Sequence, residues 1–410
     1  MDTELVLVGG IDRDGVAAAL VRLLSQPGTA VLGHDLSEVS AGRVHRRLRT
    51  APPAEAEREP LASDVSVALP LAHGCLWCTL REDVLPLIRV LARRPDIRRV
   101  VLHLDPLLEP ERVCRSVLYP LLDAAGHNVR LAGVITVIDP VHWLDDALGD
   151  EDLIGRGFAA PPDDERTLAQ LVVAQAEFAD LIVYTGRQRD PDARWRLGRA
   201  NAVLSRLAPL APRVSLSQLR PADPLAGLPA AARRGRPESP HAPLLRGQPD
   251  LDEDLGVRML LFSDPRPFHP TRLHDAIDVL LDGVVRCKGR LWLASRPEAT
   301  LWLETAGGGA ELGQVDQWLA AGDRDAWAGA DPEHQAAAAL RWHPRFGDRA
   351  QELAILTCDA NAEEIGRGLR AALLTDAELD AGEKAWARYP DPFDFQRAET
   401  CVATDPTPNR

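Results

Sequence analysis

Lysine is nearly missing from this chain. Of its 47 basic residues only Lys288 and Lys384 are lysine. With abundant Ala, Arg and Pro, that pattern reads as the codon bias of a GC-rich genome and carries no chemistry of its own. No apolar run reaches the ~20 residues a membrane-spanning helix needs. Positive charge is missing at the start, where Asp2 and Glu4 stand in the place of a signal peptide's basic residues. A cytoplasmic protein with no membrane partner is expected. Cysteines are few: Cys75, Cys78, Cys114, Cys287, Cys358 and Cys401. Their scatter excludes the disulfide framework of a small secreted domain. A net charge of −14 argues against bulk binding of DNA or RNA, and would attract a basic protein. No internal repeat is visible.

What is present suffices for large cores. The chain has 410 residues, 45% of them hydrophobic, which predicts two domains. Short apolar runs alternate with helical spacing up to residue 220. Strands are expected at Leu5–Val8, Thr29–Leu32, Val65–Leu69, Val100–Leu104, Val134–Ile138, Leu181–Tyr184 and Arg213–Leu216. Helices are expected at Val16–Leu24, Leu80–Leu91, Glu109–Ala125, Leu168–Phe178 and Trp195–Leu207. This order predicts an α/β fold, a mostly parallel sheet with helices on both faces. Ala51–Pro60 reads as a loop, and the arginines of 43–49 as a solvated face. Residues 221–255, rich in Pro, Gly and Arg, read as a linker. Beyond it, Arg258–Phe262, Arg290–Ala294, Thr300–Glu304 and Leu353–Thr357 read as strands, with helices at Pro270–Leu281 and Ala362–Leu373. These predict a smaller α+β domain over 256–390, followed by a loose tail at 391–410. Gly307-Gly308-Gly309 reads as a hairpin loop.

The first strand leads into Gly10-Ile11-Asp12-Arg13-Asp14-Gly15-Val16-Ala17. Gly10 and Gly15 have the spacing of a phosphate loop, which reads Gly, four residues, Gly, Lys, Ser/Thr. Val16 stands at the lysine position and Ala17 at the hydroxyl position. The cation for the β/γ-phosphates and the oxygen for Mg²⁺ are therefore both missing. Asp12 and Asp14 add negative charge, against about half a positive charge from the helix dipole. No nucleotide is expected here beyond weak binding, and an ordinary strand-to-helix turn is the plain alternative.

Four stretches in the first half resemble the CobW family of metal-linked GTPases: His73-Gly74-Cys75-Leu76-Trp77-Cys78-Thr79-Leu80-Arg81, Val100–Pro110, Ala132–Asp139 and Ala179–Val183. In the second half, Pro267-Phe268-His269-Pro270, Arg286-Cys287-Lys288-Gly289 with Leu291-Trp292-Leu293, and Gly347-Asp348-Arg349 resemble its C-terminal domain. The resemblance implies a GTPase-like domain followed by a CobW C-terminal domain. Departures from the family pattern agree with the degenerate loop. His103 replaces a glutamate. Pro106 replaces a glycine whose N–H meets the γ-phosphate. Thr185-Gly186-Arg187-Gln188 replaces the guanine-reading Asn-Lys-x-Asp. No catalytic residue for hydrolysis is expected.

Cys75 and Cys78 precede a helix with C-x-x-C spacing, and two such thiolates suit zinc. His73 is a candidate third ligand, and Cys114 or water a fourth. A redox pair and inert thiols remain open, because Trp77 replaces the family's middle cysteine. Cys114, Cys287 and Cys358 read otherwise as small core residues, and His103 and His269 as packing or capping residues. Within the family, Ala72–Asp83 and Gln175–Leu181 resemble a mycobacterial branch. That resemblance implies a non-hydrolysing adaptor. It recruits a ribosome hibernation-promoting factor to the 70S ribosome under zinc limitation. The alternatives are a zinc metallochaperone working through the cysteine pair and an atypical GTPase.

Overall fold

The computed structural model describes residues 2–51, 64–119, 128–186 and 191–393. Its first half is an eight-stranded sheet. The strands are β1 (Thr3–Gly9), β2 (Thr29–Asp35), β3 (Arg43–Thr50), β4 (Asp64–Pro70), β5 (Arg99–His103), β6 (Val129–Ile138), β7 (Leu181–Tyr184) and β8 (Arg213–Ser215), in the order β4-β3-β2-β5-β1-β6-β7-β8. β2–β3 and β3–β4 are antiparallel, and the remaining pairs are parallel. Leu5, Leu7 and Val8 are wholly buried, as a strand covered on both faces requires. The flanking helices include α1 (Arg13–Leu24), α2 (Leu76–Ala92), α3 (Leu168–Glu177) and α4 (Pro191–Leu207).

A second sheet is antiparallel throughout. Its strands are β9 (Val257–Asp264), β10 (Val284–Leu291), β11 (Ala299–Ala306), β12 (Gly309–Gln317) and β13 (Gln351–Cys358), in the order β12-β11-β10-β13-β9. The helices beside it include α5 (Pro270–Ile277), α6 (Pro332–Arg341) and α7 (Ala362–Ala372). The core is continuous between the two sheets: Val257, Met259, Val285 and Leu356 share one cluster with residues of the first sheet. No helix among the described residues is long and apolar enough to cross a membrane.

The parallel strands fall where the apolar runs predict them. Three differences have physical causes. β3 occupies the arginine run expected to be a solvated face. Arg43, Arg46 and Arg47 are neutralised by Glu38, Asp83 and Asp64, while Val44 packs inward. β10 begins at Val284, six residues before the expected strand, because two of its charges are paired by another element. Arg286 and Lys288 both meet Glu177 of α3. Finally, the expected helix after Pro110 loses its α-helical spacing at Cys114–Leu118, where the turns widen into a π-helix. Its remainder from 120, and the expected loop at 51–60 beyond Ala51, lie outside the described residues.

The 221–256 segment contains no helix or strand, yet it is a packed strap. Irregular backbone leaves carbonyls without ladder partners, and arginines supply donors. Arg99 donates to Pro221 and Ala222 carbonyls, and Arg290 to those of Pro240 (2.6 Å) and Ala242 (2.9 Å). Asp180 accepts the Arg234 and Gly235 amides at 2.7 and 3.2 Å. The start of the expected tail is likewise held, since Arg296 and Ser295 both donate to Asp391. Residues 394–410 lie outside the described part.

Candidate functional site

β1 ends at Gly9, and the chain turns through Gly10, Ile11 and Asp12 into α1. A phosphate loop keeps the residues between its glycines open, so that their amides surround a phosphate. Here α1 begins at Arg13, and Gly15 is already helical. Asp12 caps the helix. Its carboxylate accepts the Gly15 N–H at 2.9 Å and the Thr185 hydroxyl at 2.6 Å, and its carbonyl accepts Val16 N–H at 2.8 Å. A side-chain carboxylate thus sits where the amides and dipole of a helix start would favour a bound anion.

The two glycines persist for reasons of space. Gly10 has φ 145°, and a Cβ there would lie 2.2 Å from the Val137 carbonyl oxygen of β6. A Cβ on Gly15 would lie 2.5 Å from the Thr185 methyl. Gly10 and Gly15 therefore share one sheet edge, where Asp12 takes the Gly15 amide and a pocket lined by Gly10, Arg13, Val16 and Ala17 lies alongside. Of the stretch that replaces the guanine-reading segment, Thr185 is drawn into the Asp12 cap, while Arg187 and Gln188 lie outside the described residues.

Cys75 and Cys78 come together at the start of α2. Cys75 is the N-cap, and its sulfur accepts the Cys78 N–H at 3.3 Å. Thr79 locks the turn: its hydroxyl accepts the Ala72 amide at 2.7 Å and donates to the Cys75 carbonyl at 2.9 Å. Both cysteines are half-buried. An N–H to sulfur and a helix N-terminus both stabilise negative charge on a thiolate. Two rows of contacts fix α2 behind the pair, since Asp83 holds His34 of β2 (2.8 Å) and Arg46 of β3 (2.6 Å).

The other proposed ligands are not gathered there. His73 is exposed, at φ 52°, and its donor atoms do not converge with both sulfurs. Cys114 is packed beside Leu131 and Gly235, and burial pushes its thiol well above the ordinary range. Cys287 behaves likewise, pushed up by burial to about 12. His103 is a packed imidazole against Gly33, held at about 4 first by burial and then by Arg49. His269 caps nothing with its side chain and instead stacks on Tyr389 at 4.6 Å.

Sequence reasoning missed one gathering of donors. Among the described residues, the one group of three or more His, Cys, Asp or Glu ligands is His241, Asp316 and His334, within 4.8 Å of one another. They come from the strap, β12 and α6, so no local spacing announces them.

Comparison with known proteins completes the picture. Residues 49–212 match the CobW/HypB/UreG nucleotide-binding domain, and 257–373 match the cobalamin synthesis protein cobW C-terminal domain. Gly10–Ala17 lies ahead of the first match. A Mycobacterium tuberculosis protein named a zinc chaperone is 42% identical over 411 residues, covering 98% of this chain and 95% of that one. A Dictyostelium discoideum zinc-regulated GTPase metalloprotein activator is 27% identical over 346 residues, covering 80% of this chain and 70% of that one. The Zn(II)-bound YjiA GTPase from E. coli covers 91% of this chain and is itself covered completely, at 14% identity and a TM-score of 0.37, too low to carry an argument.

Proposed function

The chain belongs to the CobW family, and from that premise we propose that it is a zinc chaperone that takes up the metal through Cys75 and Cys78 and passes it to a client protein. The observation that carries this reading is the thiol pair at the mouth of α2, with one sulfur already receiving a backbone N–H. Zinc is the cargo here. Two protein thiolates leave two tetrahedral positions for water or for a client's ligands, which suits a site that must release what it holds. The names of the relatives above favour this reading over the ribosome adaptor.

Zinc titration of the full chain tests it. The expected result is that Cys75→Ser/Cys78→Ser holds one zinc fewer than the native chain. Equal uptake by both proteins would end the proposal.

Recruitment of a ribosome hibernation-promoting factor to the 70S ribosome is the second reading. Its support is the Asp12 cap, which takes an amide that a phosphate would use, together with the net charge of −14. An acidic body suits a basic partner by complementarity. Affinity purification from zinc-starved cells tests it: the hibernation factor and ribosomal proteins should co-purify, and their absence would count against it.

A further inference from the structure

We infer that His241, Asp316 and His334 form a second site for a divalent cation of the zinc class, where the strap crosses the edge of the antiparallel sheet. This inference is independent of the cysteine pair. His241 Nε2 lies 2.7 Å from the Asp316 carboxylate, and His334 Nδ1 lies 3.6 Å from the same oxygen. Two imidazoles and one carboxylate make a donor set that zinc accepts in sites with an open fourth position.

The burial of the three residues is uneven in a useful way. His241 and His334 are each 6% exposed, whereas the Asp316 side chain is 45% exposed. The imidazoles are thus held against the protein, and the carboxylate opens the site to solvent. His334 Nε2 is buried and has no hydrogen-bond partner. A buried polar atom without a partner costs free energy that a native fold seldom tolerates without a reason. That nitrogen faces Asp348 Oδ2 at 3.9 Å. Asp348 is itself fixed by accepting the Leu319 and Ala320 amides at 3.0 and 2.8 Å. It has the position of an outer carboxylate that orients a ligating histidine.

The two rings stack face to face, with centroids 3.4 Å apart and planes 11° from parallel. Parallel rings do not aim their in-plane lone pairs at one point, so loading a cation turns one of them. His334 is the ring that turns at no cost in hydrogen bonds. His241 is anchored through its neighbours, since the Pro240 and Ala242 carbonyls both receive Arg290, which is paired with Glu352. A cation held here therefore ties the strap to β12 and α6 and stiffens the segment that joins the two sheets.

The test uses the full chain carrying Cys75→Ser/Cys78→Ser, so that the thiols cannot report. It is titrated with Co²⁺ and then with competing Zn²⁺. The expected result is one Co²⁺ per chain with visible d–d bands, no sulfur charge-transfer band, and displacement by zinc. Adding His334→Gln, or His241→Gln separately, should abolish the bands while circular dichroism stays unchanged. Asp316→Asn, which keeps the shape, should weaken binding. No uptake by the Cys75→Ser/Cys78→Ser chain, or uptake that survives both histidine substitutions, would overturn the inference. Failure of the chaperone reading would appear instead in the cysteine comparison alone.

Discussion

The edge of the first sheet at Gly10–Gly15 and the seam between the sheets at Glu177 both concentrate charge, and they use it differently. At the edge, one carboxylate is consumed by the chain's own amide and hydroxyl: Asp12 with Gly15 and Thr185. At the seam, Glu177 of α3 meets Arg286 and Lys288 of β10, and Arg286 also meets Glu304 at 2.6 Å. Burial alone would raise the Glu177 carboxyl, but the two cations outweigh it and hold it at about 2. The difference teaches that a carboxylate can serve either to cap a helix from within or to join separate elements. The buried charges at Glu177, Arg286 and Lys288 join the two sheets.

The seam offers the strongest ways to break that contrast. Glu177→Ala should destabilise the chain by about 3–5 kcal/mol, because it leaves Lys288 without its carboxylate and Arg286 with Glu304 alone. A large fall in the urea midpoint measures it, and an unchanged midpoint would remove the seam's importance. The acid limb sharpens the point. A folded carboxyl held below its unfolded value adds stability that is full above about 4.5 and is lost as pH falls toward about 2. Acid unfolding followed by tryptophan fluorescence should be less steep over that window in Glu177→Gln than in the native chain.

At the edge, the effects are smaller and the sign of binding matters more. Val16→Lys/Ala17→Ser restores the missing cation and hydroxyl, yet calorimetry with GTP and Mg²⁺ should still show no heat, because Asp12 keeps the amides. Heat from this double variant would mean that side-chain loss alone had silenced the loop. The smallest effect is expected from Asp12→Ala, a lost helix cap worth about 1 kcal/mol, read as a modest shift in the urea midpoint.

Legibility followed locality. The parallel strands announce themselves as apolar runs, and the Gly307–Gly309 hairpin as glycines between alternating residues. β3 was hidden because arginines at 43, 46, 47 and 49 break the visual alternation that Val44 and Leu48 preserve. The start of β10 was hidden because its charges are balanced from α3, which is distant in sequence. β12 shows a mostly exposed, polar pattern at the sheet's edge, and polar edge strands carry little period-two signal. The cysteine pair was readable from four consecutive positions. The meeting of His241, Asp316 and His334 depends on the path of a strap that has no secondary structure, and on nothing that spacing could reveal.

A tethered carboxylate has a consequence that a soluble ligand does not. Asp12 is present at its post in every molecule, at an effective concentration set by a separation of three residues rather than by the cell's supply of phosphate compounds. Helix α1 is therefore nucleated and held without waiting for a guest.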